Sequence, residues 1–189
     1  DLPPGSEVAV TVFAEKPHLA APFTPAAAFD LSLFDRLKAM HHTALDDAVV
    51  FSEKYVEQSA HNPRRALVLI TDGGENMSRH GVRETARSMQ MPTSPFAYAL
   101  VIVDPSAPNP EERIGAVDPP FLVVKASVAQ DVMKEATRIS QCIDSQYALT
   151  YRSALTVHDK QLHKIKVRLA KPDPHMKITS LPGYHIPSR

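Results

Sequence analysis

With one cysteine, Cys142, the chain has no internal disulfide; no such covalent staple holds it, and its redox compartment is left open. That thiol reads as an inert packing residue. Neither sign of charge is in excess. Lys and Arg number 21, as do Asp and Glu, and no basic run is longer than Arg64-Arg65, which argues against nucleic acid or an anionic membrane as partner. Long apolar runs are also missing. No stretch approaches the roughly 20 residues of a membrane helix, and residues 1 to 20 lack a signal-like apolar segment, so a soluble chain is expected. There is no repeat at a solenoid period and no low-complexity tract. What is present is 189 residues, 43% hydrophobic and 22% charged, enough for one globular domain with a sizeable core.

The chain is organised around Arg65-Ala66-Leu67-Val68-Leu69-Ile70-Thr71-Asp72-Gly73-Gly74-Glu75-Asn76. Five consecutive apolar residues are too few for a stable helix and read as a strand buried on both faces, as inside a parallel sheet. A carboxylate follows at once. Functional groups of open α/β sheets gather where strands end, so Asp72 stands where a ligand or ion is held, and Gly73 and Gly74 turn the backbone sharply and leave it uncovered. Asp-Gly pairs also start plain turns, and the residues alone do not separate the two readings.

Upstream, the β-branched run Glu7-Val8-Ala9-Val10-Thr11-Val12-Phe13 is a strand, and residues 18 to 23, ending beside Pro22, suit an antiparallel edge partner. Thr24-Pro25 followed by Phe29, Leu33, Phe34 and Leu37 predicts a helix at about residues 25 to 39, and Thr43 suits the cap of a second helix running to about residue 60. Downstream the pattern predicts a helix over residues 82 to 89, a strand over 96 to 103, an exposed loop with five prolines over 104 to 120, and a short strand over 121 to 124. Ser127 then caps a helix with Val128, Val132, Ala136, Ile139 and Ile143 on one face. Strands alternating with helices imply an α/β fold with a doubly wound, mostly parallel sheet. The tail changes style. Residues 147 to 151 and 165 to 169, and a last candidate near 177 to 180, read as antiparallel strands added to the main sheet, with residues 156 to 161 as an exposed connection and Leu149 buried.

In this order and at this spacing, Val8 to Phe13, Phe23-Thr24, Thr43-Ala44-Leu45-Asp46-Asp47-Ala48 and Ala66 to Asn76 resemble a von Willebrand factor A-like domain. Gln146 to Tyr151, Ile165-Lys166-Val167-Arg168 and Pro182-Gly183-Tyr184 sharpen the likeness to the bacterial VWFA-related domain of acidobacterial type. The resemblance implies a Rossmann-like single domain over 1 to 189, with an α/β core over 1 to 145 and a C-terminal β extension over 146 to 189. It also implies a protein-binding or adhesion module rather than an enzyme. Its metal-ion-dependent adhesion site holds magnesium, whose coordination a partner's acidic residue completes. Thr43 and Asp72 match two elements of that site, and His42, Gly73, Gly74 and Glu75 fall on the partner-binding rim. The family's Asp-x-Ser-x-Ser motif does not occur. By resemblance that motif ends a first strand lying between residues 8 to 13 and 66 to 70, so the chain is expected to be N-terminally truncated or to have that strand supplied from elsewhere. His41-His42 stands where the family usually has glycine before the threonine. The family's frequent export favours an extracytoplasmic place.

Other chemistries have weaker support. Asp72 with His41 or His42 resembles the start of a metal-assisted hydrolase site, but adjacent histidines point in different directions and nine histidines make chance proximity common. Ser78 and His80 near Asp72 invite a hydrolytic triad, yet no Gly-x-Ser-x-Gly elbow is present.

Overall fold

The strand Phe96–Ile102 is the middle of a three-stranded parallel sheet, and its alternation sets the two layers of the core. The computed structural model describes residues 2–38, 40, 42–91, 93–103, 121–127, 129–150, 161–171, 173–176 and 178–185. The elements are β1 (Glu7–Phe13), β2 (Pro17–Pro25), α1 (Leu45–Ser59), β3 (Ala66–Thr71), α2 (Val82–Ser88), β4 (Phe96–Ile102), β5 (Phe121–Ala126), α3 (Ala129–Asp144), β6 (Leu162–Lys164) and β7 (Gly183–His185). The order β3-β4-β5 is in register from Ala66 opposite Phe96 and from Ala97 opposite Phe121. Successive strand residues point to opposite faces, so Ala97, Ala99 and Val101 pack with Leu45, Val49, Leu69 and Met89 on the side of α1 and α2. Tyr98 and Leu100 pack with Val124, Ala126 and Ile139 on the side of α3, where Cys142 also fills space. This α/β architecture is the one the strand and helix alternation predicts.

β1 and β2 form their own antiparallel pair, and among the described residues β1 pairs only with β2 and β3 only with β4. The expected place for a strand between β1 and β3 is thus not filled by any described strand. Helix α1 and the partly buried Phe13 connect the two sheets through side chains, in one core cluster with Leu45 and Leu69. On the opposite face α3 packs on β4 and β5 and not over the end of β3, so Val68 is 41% and Ile70 61% exposed, and the strand expected to be buried on both faces is buried on one.

Several expected elements differ. Where a helix is expected over 25 to 39, the described residues form two short 3-10 turns, Ala26–Ala28 and Leu31–Arg36. The backbone is extended at Phe29 and Asp30, the Asp30 carboxylate accepts from the Ser32 amide at 3.0 Å, and Leu31, Phe34 and Leu37 stay exposed, so nothing rewards a continuous helix. The tail makes a separate two-stranded sheet, β6 with β7, rather than an extension of the main one. Residues 165 to 169 alternate half-buried and exposed as expected without joining a strand, and residues 178 to 180 are not a strand either. Gly183 is required in β7, because a Cβ there would meet the His163 carbonyl.

The expected strand at 147 to 151 is absent over 147 to 150; Tyr147 is 85% and Leu149 72% exposed, while α3 is tied off by Arg64 and by Gln146, whose amide donates to the Arg65 carbonyl at 3.0 Å. Leu149→Asp is therefore expected to change the unfolding free energy by no more than about 0.5 kcal/mol, read by thermal melting. A loss of several kcal/mol would mean that Leu149 is buried. Residues 104–120, Val128, Tyr151, residues 156–160, Lys177 and His41, on which other expectations rest, lie outside the described residues.

Candidate functional site

The site forms where β3 ends and the chain turns across the N-terminus of α1. Thr71 is buried and its Oγ1 accepts from the Gly73 amide at 3.0 Å, while Asp72 is exposed and its Oδ1 accepts from the Gly74 amide at 2.9 Å. Two side chains each capturing the amide two residues on make a tight turn. Gly73 takes a φ of 84°, which suits glycine. A Cβ on Gly74 would lie 3.1 Å from Asp72 Oδ1 and 3.6 Å from Thr43 Oγ1, so these two oxygens flank one point above the glycine. The expected pair, Thr43 and Asp72, is brought together.

Thr43 is held by its backbone. Its amide donates to Asn76 Oδ1 at 2.9 Å, and its carbonyl accepts from the amides of Asn76 at 3.0 Å and Met77 at 3.3 Å. The next residue, Ala44, donates to the carbonyl of Ala14 at 2.7 Å, which fixes the site to the end of β1. Thr43 does not cap α1 as the sequence predicts. The cap position is Ala44, which gives no side-chain bond, and the free helix amides are taken from a distance. The Asp46 amide donates to Glu75 Oε2 and the Asp47 amide to Ser78 Oγ, both at 3.1 Å.

Glu75 is accordingly not an open rim carboxylate. It is half-buried, accepts from the Ser78 hydroxyl at 2.5 Å, and takes the amides of Met77 and Ser78 at 2.9 Å each. Burial alone would raise its pKa; the hydrogen bonds from Ser78, Asp46 and Met77 outweigh that and hold it below 4.5. Asp47 is similar. Burial pushes it up, but the His80 amide and ring and the Arg79 amide, at 2.9, 2.7 and 3.0 Å, bring it below 3.8. These long-range clamps carry no local sequence signal, since the partners are about thirty residues apart. Ser78 and His80 are thereby committed to Glu75 and Asp47, not to a triad.

His42, Gly74 and Asn76 complete the rim; His42 and Asn76 are exposed, and Gly73 is buried beneath them. Among the described residues no three His, Cys, Asp or Glu side chains are placed to hold a metal ion. Thr43 and Asp72 offer the hard oxygens that magnesium prefers, but they are two donors for an ion that takes six. The pair fits magnesium in kind and not in number.

Neither a family model nor a curated protein matches this sequence. Solved structures do. The chain is similar to a von Willebrand factor type A protein from Catenulispora acidiphila (TM-score 0.58, 15% identity, over 74% of this chain and 34% of that one). It is similar to the conserved hypothetical protein BatB from Bacteroides thetaiotaomicron (TM-score 0.54, 14% identity, over 74% and 80%). A third likeness is to an aerotolerance-related membrane protein from Bacteroides fragilis (TM-score 0.55, 15% identity, over 75% and 81%). At these identities the likeness is one of fold.

Proposed function

Starting from a fold of von Willebrand factor A type with Thr43 and Asp72 side by side at the sheet's C-terminal edge, we propose that this chain is a protein-interaction module. The observation that carries the reading is the convergence of two hard oxygens over Gly74 on an exposed turn whose backbone is bonded to α1 and β1. A turn fixed in this way presents Asp72 without an ordering cost at the moment of contact, which favours recognition. The partner meets Asp72, Thr43 and His42, and Gly74, which carries no side chain, keeps the approach between them open. Glu75 serves the same surface indirectly, by holding the turn against α1.

Magnesium enters this reading as a weak or partner-completed ligand, because the chain's own site residues supply two donors. A partner carboxylate would add a third, with water in the remaining positions. The role in this reading is one of binding, and the alternative to it is metal-assisted hydrolysis by Asp72 with His41 or His42. The description of one similar structure as a membrane protein supports an extracytoplasmic place for this module. Among the described residues no helix is long and apolar enough to cross a membrane.

Titration calorimetry of the 189-residue chain with magnesium is expected to show no half-saturation tighter than about 1 mM. Tight stoichiometric binding would overturn the two-donor reading. For the module itself, the protein captured by wild-type chain is expected to be lost with both Asp72→Ala and Thr43→Ala while the melting temperature stays unchanged. Undiminished capture by both variants would place the interaction elsewhere on the surface.

A further inference from the structure

Behind the site loop, at the far end of α2, lies a carboxyl group that the binding role does not use. Glu53 sits mid-way along α1 and is only 4% exposed. The groups that meet it from α2 and its connector to β4 are hydroxyls: Ser88 Oγ donates to Glu53 Oε2 at 2.9 Å, and Ser94 Oγ lies 3.4 Å from Oε1. On its own helix Glu57 adds negative charge and Lys54 positive charge, and Glu57 is engaged by Thr93 Oγ1 at 2.8 Å. No ion pair to Glu53 occurs among the described residues.

The hydroxyl of Ser94 has one proton, and its better acceptor is the Ser88 carbonyl at 2.8 Å. Its oxygen also accepts from the Met91 amide at 3.2 Å. With that proton drawn to the Ser88 carbonyl, the Ser94 hydroxyl gives Glu53 Oε1 at best a long, shared bond at 3.4 Å, and a protonated Glu53 donates to the Ser94 oxygen along the same line. A protonated Glu53 accepts from Ser88 on one oxygen and donates to Ser94 from the other, which satisfies both atoms in a nearly dry place.

We propose that Glu53 is the proton-carrying member of a latch that fastens the α2–β4 connector to α1 in mildly acidic solution and loosens as the pH rises. Burial raises the Glu53 pKa above 4.5 and Glu57 adds to it, outweighing the hydroxyls of Ser88 and Ser94 and the charge of Lys54, which favour the ionised form. A raised value means that the latch is at full strength below 4.5, the value when the segment is open, and weakens as pH climbs through the folded-state value. This goes beyond the binding reading: loss of the latch leaves Thr43 and Asp72 in place, because Thr43 is bonded to Asn76 and Met77, Asp72 to the Gly74 amide, and the neighbouring Ala44 to Ala14.

Hydrogen exchange of the Met91 and Ser94 amides in the 189-residue chain, corrected for the intrinsic pH effect, tests it between pH 4 and 7.5. Protection is expected to fall by up to about tenfold per pH unit from about 4.5 upward and then level off. Glu53→Gln keeps an acceptor and a donor in the same places at every pH, and its protection is expected to stay flat. Flat exchange in the wild type, or a wild-type slope in Glu53→Gln, would overturn the latch. Should Glu53→Gln not fold, the carbon resonance of the Glu53 carboxyl in the wild-type chain decides: a midpoint above 4.5 supports the latch and one at or below it removes the proton from the network.

Discussion

Glu75→Ala is expected to lower the unfolding free energy by about 2–3 kcal/mol, which for a chain of this size is a fall in melting temperature of about 5–10 °C. The carboxylate caps the first turn of α1 through the Asp46 amide and also takes Met77 N, Ser78 N and the Ser78 hydroxyl. Its removal leaves the Asp46 and Ser78 amides without that acceptor, while the Met77 amide keeps the Thr43 carbonyl, and each amide stranded away from water costs about 1–3 kcal/mol. The effect also has a pH signature. Because the Glu75 pKa is lowered, its contribution is present above about 4.5 and is lost as pH falls through the folded-state value. Wild type and variant should therefore differ most near neutrality and converge in acid, as melts over pH 2 to 7 would show. An equal difference at every pH would mean that the ionised carboxylate is not what holds the loop.

Met89→Ala is expected to cost about 3–4 kcal/mol and to lower the melting temperature by about 6–14 °C. Met89 is 0% exposed at the end of α2, packed in the cluster with Leu45, Val49, Leu69, Ala97, Ala99 and Val101. The small residues on β4 leave a hollow that its unbranched side chain fills, and alanine would leave it empty. Met89→Leu conserves most of that volume and should cost less than about 1.5 kcal/mol. Met133→Ala is the control, because Met133 stands exposed on α3. Comparable losses from Met133→Ala and Met89→Ala in chemical denaturation would refute this packing.

The parallel sheet was legible because its strands declare themselves locally. Ala66 to Ile70 and Phe96 to Ile102 are unbroken apolar runs, and a run of that length flanked by turn residues has few other homes. The helical stripe of Val132, Ile139 and Ile143 was as plain, and those residues do face β4 and β5. Where the sequence misled, spacing was present without a surface to pack on. Phe29, Leu33, Phe34 and Leu37 recur at helical intervals, but two 3-10 turns form there, with Phe34 and Leu37 exposed and Phe29 and Leu33 only half-buried. Leu149 alternates correctly in a segment that no described strand receives.

The site was legible in part and by likeness. Thr43 and Asp72 are 29 residues apart, and nothing in their local chemistry says that they meet; the resemblance put them in one site, and Gly74 shows them flanking one point. Glu75 was misread for a physical reason. A carboxylate in a glycine-rich turn ordinarily faces water, whereas this one is drawn inward by Met77 and Ser78 of its own loop together with the Asp46 amide of α1. The pairing of Asp47 with His80 was beyond reach for the same cause, since it depends on where α1 and the loop come to lie together.

The bare flank of β3 bears on how this protein keeps in solution. Ala66 to Thr71 contains no charged residue and no proline, and beyond its one neighbour, β4, no described strand covers its outer amides and carbonyls. Such a border is a template on which a second molecule, meeting it at random, begins a cross-β stack. Encounters of that kind rise with the square of concentration, so shelf life and yield hang on how long the border stays uncovered. A strand laid along it would do more than add ladder bonds: it would remove the seed.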